Sequence, residues 1–180
     1  MLISIDIDDV LCELTRPLAN FHNEHYGTRH TREGYTTYHL NQLWGCDCAE
    51  SYERMRQFFQ AHGNGLGVLP GSKEAVAELS HHHTLVALTS RFPYMEKDTR
   101  AWMANQFPDM FIELYFSSHI VRGNGNLSKA QYCSKHGVEM HLEDSLEYAS
   151  ECATNGVSVL LFDTPWNQAD KKSLHPSITR

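Results

Sequence analysis

The chain has 180 residues, 41% of them hydrophobic and 21% charged, an ordinary globular composition that can bury one sizeable core with a modest insertion. A net charge of −7 argues against a nucleic-acid polymer or an anionic membrane as the main partner, so any phosphate it binds should be small and neutralised locally. No stretch approaches a membrane span, and the strand-like, acidic start lacks the basic region of an export leader; the expectation is a cytoplasmic protein with no membrane partner. Five scattered cysteines (Cys12, Cys46, Cys48, Cys133 and Cys152) predict reduced thiols, and Cys46-Asp47-Cys48 has no second pair to complete a zinc site.

The apolar run 2–7 reads as a buried strand closed by Asp6 and Asp8, whose two-residue spacing puts both carboxylates on one side of it. A helix is expected over 13–26, stopping at Gly27. Residues 28–45 carry no clear period. A second helix follows over 49–62, and the glycines of 63–67 predict a hinge or linker. From Pro70 the pattern is regular. Helices are expected at 71–80 (with Ser72 as N-cap), 95–106, 128–136 and 145–154, and strands at 84–88, 111–116, 140–142 and 157–162. A Gly/Asn loop is expected at 122–126, and His81-His82-His83 reads as a solvated turn. Strands alternating with helices predict an α/β fold with a Rossmann-like parallel sheet and flanking helices. Residues 1–12 and 70–180 form its core, and 13–69 interrupt it as a small helical insertion after strand 1.

This alternation sets four polar clusters at strand ends: Asp6/Asp8, Thr89/Ser90, Lys129 and Glu143/Asp144. Open α/β sheets bind ligands beyond the carboxyl ends of their strands, so the four should meet in one crevice. Asp6 and Asp144 can hold Mg²⁺, which prefers a few carboxylates plus waters and substrate oxygens. A Thr89 hydroxyl and a Ser90 backbone N–H suit a phosphate oxygen, and Lys129 adds the positive charge the chain otherwise lacks. Paired carboxylates such as Asp6 and Asp8 can divide nucleophilic and proton-transfer work.

Four motifs in order carry a resemblance to the haloacid dehalogenase superfamily of phosphotransferases. They are Asp6-Ile7-Asp8-Asp9-Val10, Thr89-Ser90-Arg91 after an apolar strand, Leu127-Ser128-Lys129-Ala130, and Leu142-Glu143-Asp144-Ser145. The insertion between the first two motifs is similar to the family's cap. A small helical cap and the run Leu161-Phe162-Asp163-Thr164-Pro165-Trp166-Asn167 resemble the 5′-nucleotidase, deoxyribonucleotidase-like branch. The resemblance implies Asp6 as the nucleophile that forms an aspartyl-phosphate. It implies Asp8 as the acid/base, its carbonyl also on Mg²⁺, Thr89, Ser90 and Lys129 as phosphate binders, and Asp144 as a metal carboxylate. Glu143 stands where aspartate is more usual, Asp9 where many members have glycine, and Arg91 is a further candidate at the rim.

The function expected is Mg²⁺-dependent hydrolysis of a phosphomonoester, with a nucleoside monophosphate as substrate; a sugar phosphate or other small phosphometabolite is the alternative. A phosphorylated receiver domain needs an acceptor aspartate on a middle strand, and no expected strand between Ile7 and Thr89 ends in one. A catalytically idle binding module is disfavoured by the intact Asp6/Asp8 pair, and a two-carboxylate glycosidase leaves Thr89 and Lys129 unexplained. Tyr35, Tyr38, Trp44, Phe58 and Phe59 are the aromatic candidates for contacting a base, with packing inside the insertion as the competing role for each.

Overall fold

The first strand, β1 (Leu2–Ile5), lies inside a six-stranded sheet in the computed structural model, which describes residues 1–63, 65–117, 126–168 and 174–180. Its neighbours are β2 (Thr84–Thr89) on one side and β4 (Met140–Glu143) on the other. Outside them lie β3 (Glu113–Phe116) and β5 (Ser158–Leu161), with a short β6 (Ile178–Thr179) beyond β5. All five pairings are parallel, in the order β3-β2-β1-β4-β5-β6. The chain therefore winds outward from β1 in one direction through β2 and β3, then returns and winds the other way through β4 and β5. The crevice between the carboxyl ends of β1 and β4 is the point where this winding reverses.

Both faces of the sheet are covered, which is why its central strands β1 and β2 are largely apolar rather than alternating. Successive residues of β2 divide between the two sides. Leu85 and Ala87 join an apolar cluster with Val76 of α4 (Ser72–His82) and Trp102 and Met103 of α5 (Glu96–Gln106). Val86 and Leu88 join another with Tyr132 and Cys133 of α6 (Lys129–His136) and Ala149 and Cys152 of α7 (Leu146–Thr154). That is the period of two expected of a strand.

Between β1 and α4 the chain is helical: α1 (Thr15–Tyr26), a single 3₁₀ turn at Arg32–Gly34, α2 (Leu40–Trp44) and α3 (Cys48–His62). Phe21, Tyr35, Trp44, Phe58 and Phe59 from this segment continue the apolar cluster on the α4/α5 side of the sheet. The two crossings between segment and sheet are laced together: Glu13 N–H donates to Gly67 C=O at 2.9 Å, and Leu69 N–H to Leu11 C=O at 2.8 Å. No helix among the described residues is long and apolar enough to cross a membrane.

Several local expectations are corrected. β1 ends at Ile5, because the Ile7 carbonyl turns to accept from Leu11 and Cys12, and Asp9 takes a left-handed conformation with φ 54°. Asp9 supports that turn by accepting from the backbone N–H groups of Leu14 and Thr15 at 3.3 and 3.2 Å, which ties down the start of α1. Gly71 rather than Ser72 caps α4, since the Ser72 hydroxyl donates back to Leu69 C=O at 2.7 Å. His81 and His82 close α4 instead of forming a turn. β3 starts at Glu113, two residues later than expected, and β6 was not foreseen because two residues carry no period. Most of the expected Gly/Asn loop at 122–126, and Asn64 of the glycine run, lie outside the described residues.

One buried group of the insertion has a pH consequence. His22, 1% exposed, stacks on Trp44 with ring centroids 4.5 Å apart, and its Nε2 faces Arg54 Nη1 at 2.9 Å. Arginine can only donate, so Nε2 is the accepting nitrogen and the ring is neutral, with Nδ1–H donating to the Thr28 hydroxyl at 2.8 Å. Burial, then Arg54 and His30, pull its pKa down from 6.5 to about 4. The unfolded chain therefore binds a proton first as pH falls: the contribution is full above 6.5 and is lost as pH drops toward 4, by at most about 3 kcal/mol. Denaturant unfolding of wild type and His22→Gln from pH 7 to pH 4 should show wild type losing more stability; parallel curves would refute this.

Candidate active site

Asp6 follows directly on β1, and its N–H donates to Leu142 C=O at 3.0 Å, which carries the β1–β4 pairing one residue past the strand. Its carboxylate is thereby held at the reversal point, where Lys129, the first residue of α6, reaches it with Nζ 2.7 Å from Oδ1. Ser128 fixes this helix start through a capping box, its hydroxyl accepting from Gln131 N–H while the Gln131 side chain accepts from Ser128 N–H. Lys129 is 1% exposed and also bonds Glu143 Oε2 at 2.7 Å. Burial works against the ammonium, but Asp6 and then Glu143 more than reverse it, so its pKa is raised and it stays charged.

Glu143, the last residue of β4, is fully buried and fully used. Oε2 takes Lys129 and His141 Nε2 (3.0 Å), while Oε1 accepts the backbone N–H groups of Asp144 and Ser145 at 3.1 and 3.0 Å. Burial alone would raise its pKa; Lys129 and His141 outweigh that and hold it below the usual carboxylate range. Asp144 gives one oxygen to the Trp166 indole N–H at 2.7 Å. One carboxylate oxygen from each of Asp6, Glu143 and Asp144 lies within 4.8 Å of the others. Burial raises Asp6 to about 7 despite Lys129, with Glu143 and Asp8 adding to the rise. Burial, then Glu143 and Asp6, push Asp144 well above its ordinary value. An all-oxygen donor set in which two acids strain against ionisation suits a small hard dication, and Asp6 and Asp144 each retain an oxygen for one; Glu143 does not.

Asp8 lies past the end of β1 and is gripped by Arg91, whose Nε and Nη2 bond its carboxylate at 2.9 and 2.6 Å. Thr89 ends β2, 1% exposed, with its hydroxyl accepting from Arg91 N–H at 3.2 Å, and is not among the residues lining the cavity. Ser90 reaches the cavity, its hydroxyl 3.2 Å from that of Ser117.

The cavity, about 380 Å³, has Asp6, Asp8, Lys129 and Asp144 among its lining residues and the inserted segment as its other wall. Of the five aromatic candidates, Tyr35, Tyr38 and Phe59 line it; Trp44 and Phe58 do not and pack the interior of the segment. Tyr38 is 41% exposed and meets Tyr148 of α7 edge-on with centroids 5.7 Å apart, while Lys129 Nζ sits 4.7 Å from the Tyr148 ring centre. Tyr52, Phe92, Tyr148 and Trp166 also line the cavity and were not singled out by sequence reasoning. Tyr148 had a usable signal, since it stands four residues after Asp144 at the start of a helix; Trp166 lay in the run that carried the branch resemblance.

Similarity to solved structures agrees with this architecture. A haloacid dehalogenase-like family hydrolase from Streptococcus pneumoniae superposes with a TM-score of 0.71 at 17% identity, covering 98% of this chain and 91% of that one. A haloacid dehalogenase family hydrolase from Deinococcus radiodurans R1, solved with phosphate and sodium, gives 0.63 at 12% identity, covering 93% and 85%. A hydrolase of the same type from Bacillus subtilis, bound to magnesium, gives 0.55 at 14% identity, covering 98% and 92%. No curated protein matches the chain. The fold is thus haloacid dehalogenase-like. Residues 1–131 match the model of the family described as 5′ nucleotidase, deoxy (pyrimidine), cytosolic type C protein, and the chain belongs to that family. It is a phosphatase of the haloacid dehalogenase superfamily, near its 5′-nucleotidase branch. The match includes Asp6, Asp8, Thr89, Arg91 and Lys129; Glu143, Asp144 and Trp166 lie beyond it.

Lys129 is the counter-charge for two buried acids, so removing it should be costly. Lys129→Met should lower unfolding free energy by about 3–5 kcal/mol in the absence of divalent cations, as expected for an orphaned buried charge. Added Mg²⁺ should recover part of the loss. Urea unfolding with and without Mg²⁺ measures both, and a loss under about 1 kcal/mol would contradict the pairing argument.

Proposed function

We propose that the protein hydrolyses a nucleoside monophosphate through an aspartyl-phosphate on Asp6, with Mg²⁺ as cofactor, small phosphorylated metabolites rather than polymers being its substrates. The observation that carries the reading is the placement of Asp6, Asp8, Lys129 and Asp144 along one cavity whose opposite wall is aromatic. Mg²⁺ bound by Asp6, Asp144 and the Asp8 carbonyl would neutralise charge on the transferring phosphoryl group. The magnesium in the Bacillus subtilis relative and the phosphate in the Deinococcus radiodurans relative support that assignment. The family's description names a deoxynucleotidase of the cytosol, and five free cysteines accord with a cytoplasmic setting.

In this reading an Asp6 oxygen forms a bond to phosphorus as the P–O bond to the leaving group breaks, and the departing oxygen takes a proton from Asp8 to leave as an alcohol. Water then attacks phosphorus, passes its proton to Asp8 and releases phosphate, with Asp6 restored. Lys129, Ser90 and Thr89 hold the phosphoryl oxygens, the Thr89 hydroxyl accepting from Arg91 N–H while keeping its own proton to donate. Residues 13–69 act as a cap closing over a core of 1–12 and 70–180, and supply discrimination, because phosphate contacts treat every monoester alike.

Asp6→Asn should abolish turnover in a folded protein, since the amide cannot attack phosphorus and is a poor Mg²⁺ ligand. Asp8→Asn should cost about 10²–10⁴-fold with unactivated esters and less with an activated aryl phosphate. Residual activity near wild type in Asp6→Asn would remove it as nucleophile.

A Mg²⁺-dependent phosphate-release screen over nucleoside monophosphates and sugar phosphates tests the substrate. Nucleotides should lead, and Tyr38→Ala should reorder the ranking. Sugar phosphates ahead of every nucleotide would overturn the nucleotidase reading.

A further inference from the structure

Arg91 occupies an unusual position for a cation beside a phosphatase site: it faces the cavity but spends its donors on the protein. Its side chain is 3% exposed. Nη1 donates to the Thr99 hydroxyl at 3.1 Å, Nη2 contacts Cys12 Sγ at 3.5 Å, and the Phe59 ring of α3 lies over the guanidinium with its centre 5.2 Å away. What remains is aimed at Asp8. Nη2 and Nε reach Oδ1 at 2.6 and 3.2 Å, and Nε reaches Oδ2 at 2.9 Å. Oδ1 therefore carries two donors and Oδ2 one. Asp8 itself sits on a turn past the end of β1, with 23% of its side chain exposed, and has no other side-chain partner among the described residues. A carboxylate on such a turn has free rotation about both side-chain bonds until something planar fixes it, and a guanidinium fork does so in a way an ammonium cannot.

We infer that Arg91 is the positioning residue for Asp8: it fixes the plane of that carboxylate and leaves Oδ2 as the oxygen that carries the proton to and from the substrate. Arg91 then acts through Asp8 and does not bind the phosphoryl group. Phe59 adds a second consequence, because the ring that covers the guanidinium belongs to the inserted segment, so the orientation of the acid/base depends on that segment being seated. The inference rests on the reading of Asp8 as proton carrier.

The test is a double-mutant cycle. Arg91→Lys and Arg91→Gln are made in wild type and in Asp8→Asn, and kcat and KM are measured with an alkyl phosphate and with an activated aryl phosphate. Misplacement of a catalytic group by about 1 Å costs on the order of 10²-fold. The expected result is a loss of that order in kcat for the alkyl ester with KM nearly unchanged, and a loss below about tenfold for the aryl ester. In the Asp8→Asn background the same Arg91 substitutions should cost less than about threefold, because the group being positioned is gone. Equal losses in both backgrounds, a dominant rise in KM, or failure of both variants to fold would each overturn the inference. If instead Asp8→Asn alone shows no dependence on the leaving group, the reading of Asp8 fails and takes the inference with it, an outcome distinct from additivity at Arg91.

Discussion

The buried ammonium of Lys129 between Asp6 and Glu143 is the contact on which the rest of the site depends. Removing such a charge from water costs several kcal/mol, and attraction repays this only when every group around it is paired. The structure meets that condition through a relay across β1 and β4. Ser4 Oγ lies 2.8 Å from His141 Nδ1, His141 Nε2 lies 3.0 Å from Glu143, and Glu143 meets Lys129. This explains two oddities of the strands. Ser4 and His141 are polar residues with no exposure in the middle of a parallel sheet, where apolar residues are expected. They are tolerated because each satisfies the other, and together they hold Glu143 so that its charge faces Lys129.

From that point outward, Asp8, Asp144 and Lys129 are each backed by a ring or cation that also touches the inserted segment. Asp8 is held by Arg91, which lies under Phe59. Asp144 is held by Trp166, whose ring carries the Arg32 guanidinium 5.3 Å from its centre. Lys129 lies over Tyr148, which meets Tyr38. Phe59 comes from α3, Arg32 from the 3₁₀ turn and Tyr38 from the connection that follows it, so the segment meets the floor at three separate points. An acidic chain binding a small anion needs such an arrangement, because its net charge repels the substrate and only local cations, desolvated in a closed cavity, can outweigh that.

The meeting of Asp6, Lys129, Glu143 and Asp144 was legible in the sequence because strand ends are. A run of β-branched and apolar residues that stops at an acid fixes the acid's place in the sheet, and the parallel topology does the rest. The segment at 28–45 was not legible, because a five-residue helix and a single 3₁₀ turn leave no period to read. Arg91 was seen as a candidate at the rim, and only three-dimensional proximity assigns it to Asp8, 83 positions away. Trp44 and Phe58 show the limit of composition: aromatic residues in an insertion look alike in sequence, and which ones face a cavity follows from packing alone. Asp9 was noted where many members have glycine, but its part in tying down α1 needs the fold to bring Leu14 and Thr15 back to it.

The inserted segment is not a separate body resting on the sheet. Its aromatic interior and the α4/α5 face of the core share one apolar cluster, and apolar area buried in this way is worth about 25 cal/mol per Å². The laced crossings, Glu13 N–H to Gly67 C=O and Leu69 N–H to Leu11 C=O, hold the same side together through backbone hydrogen bonds. The far side of the cavity is held by edge-on rings and cation–ring pairs worth about 0.5–1.5 kcal/mol each. The weak contacts are the ones that touch Asp8, Asp144 and Lys129.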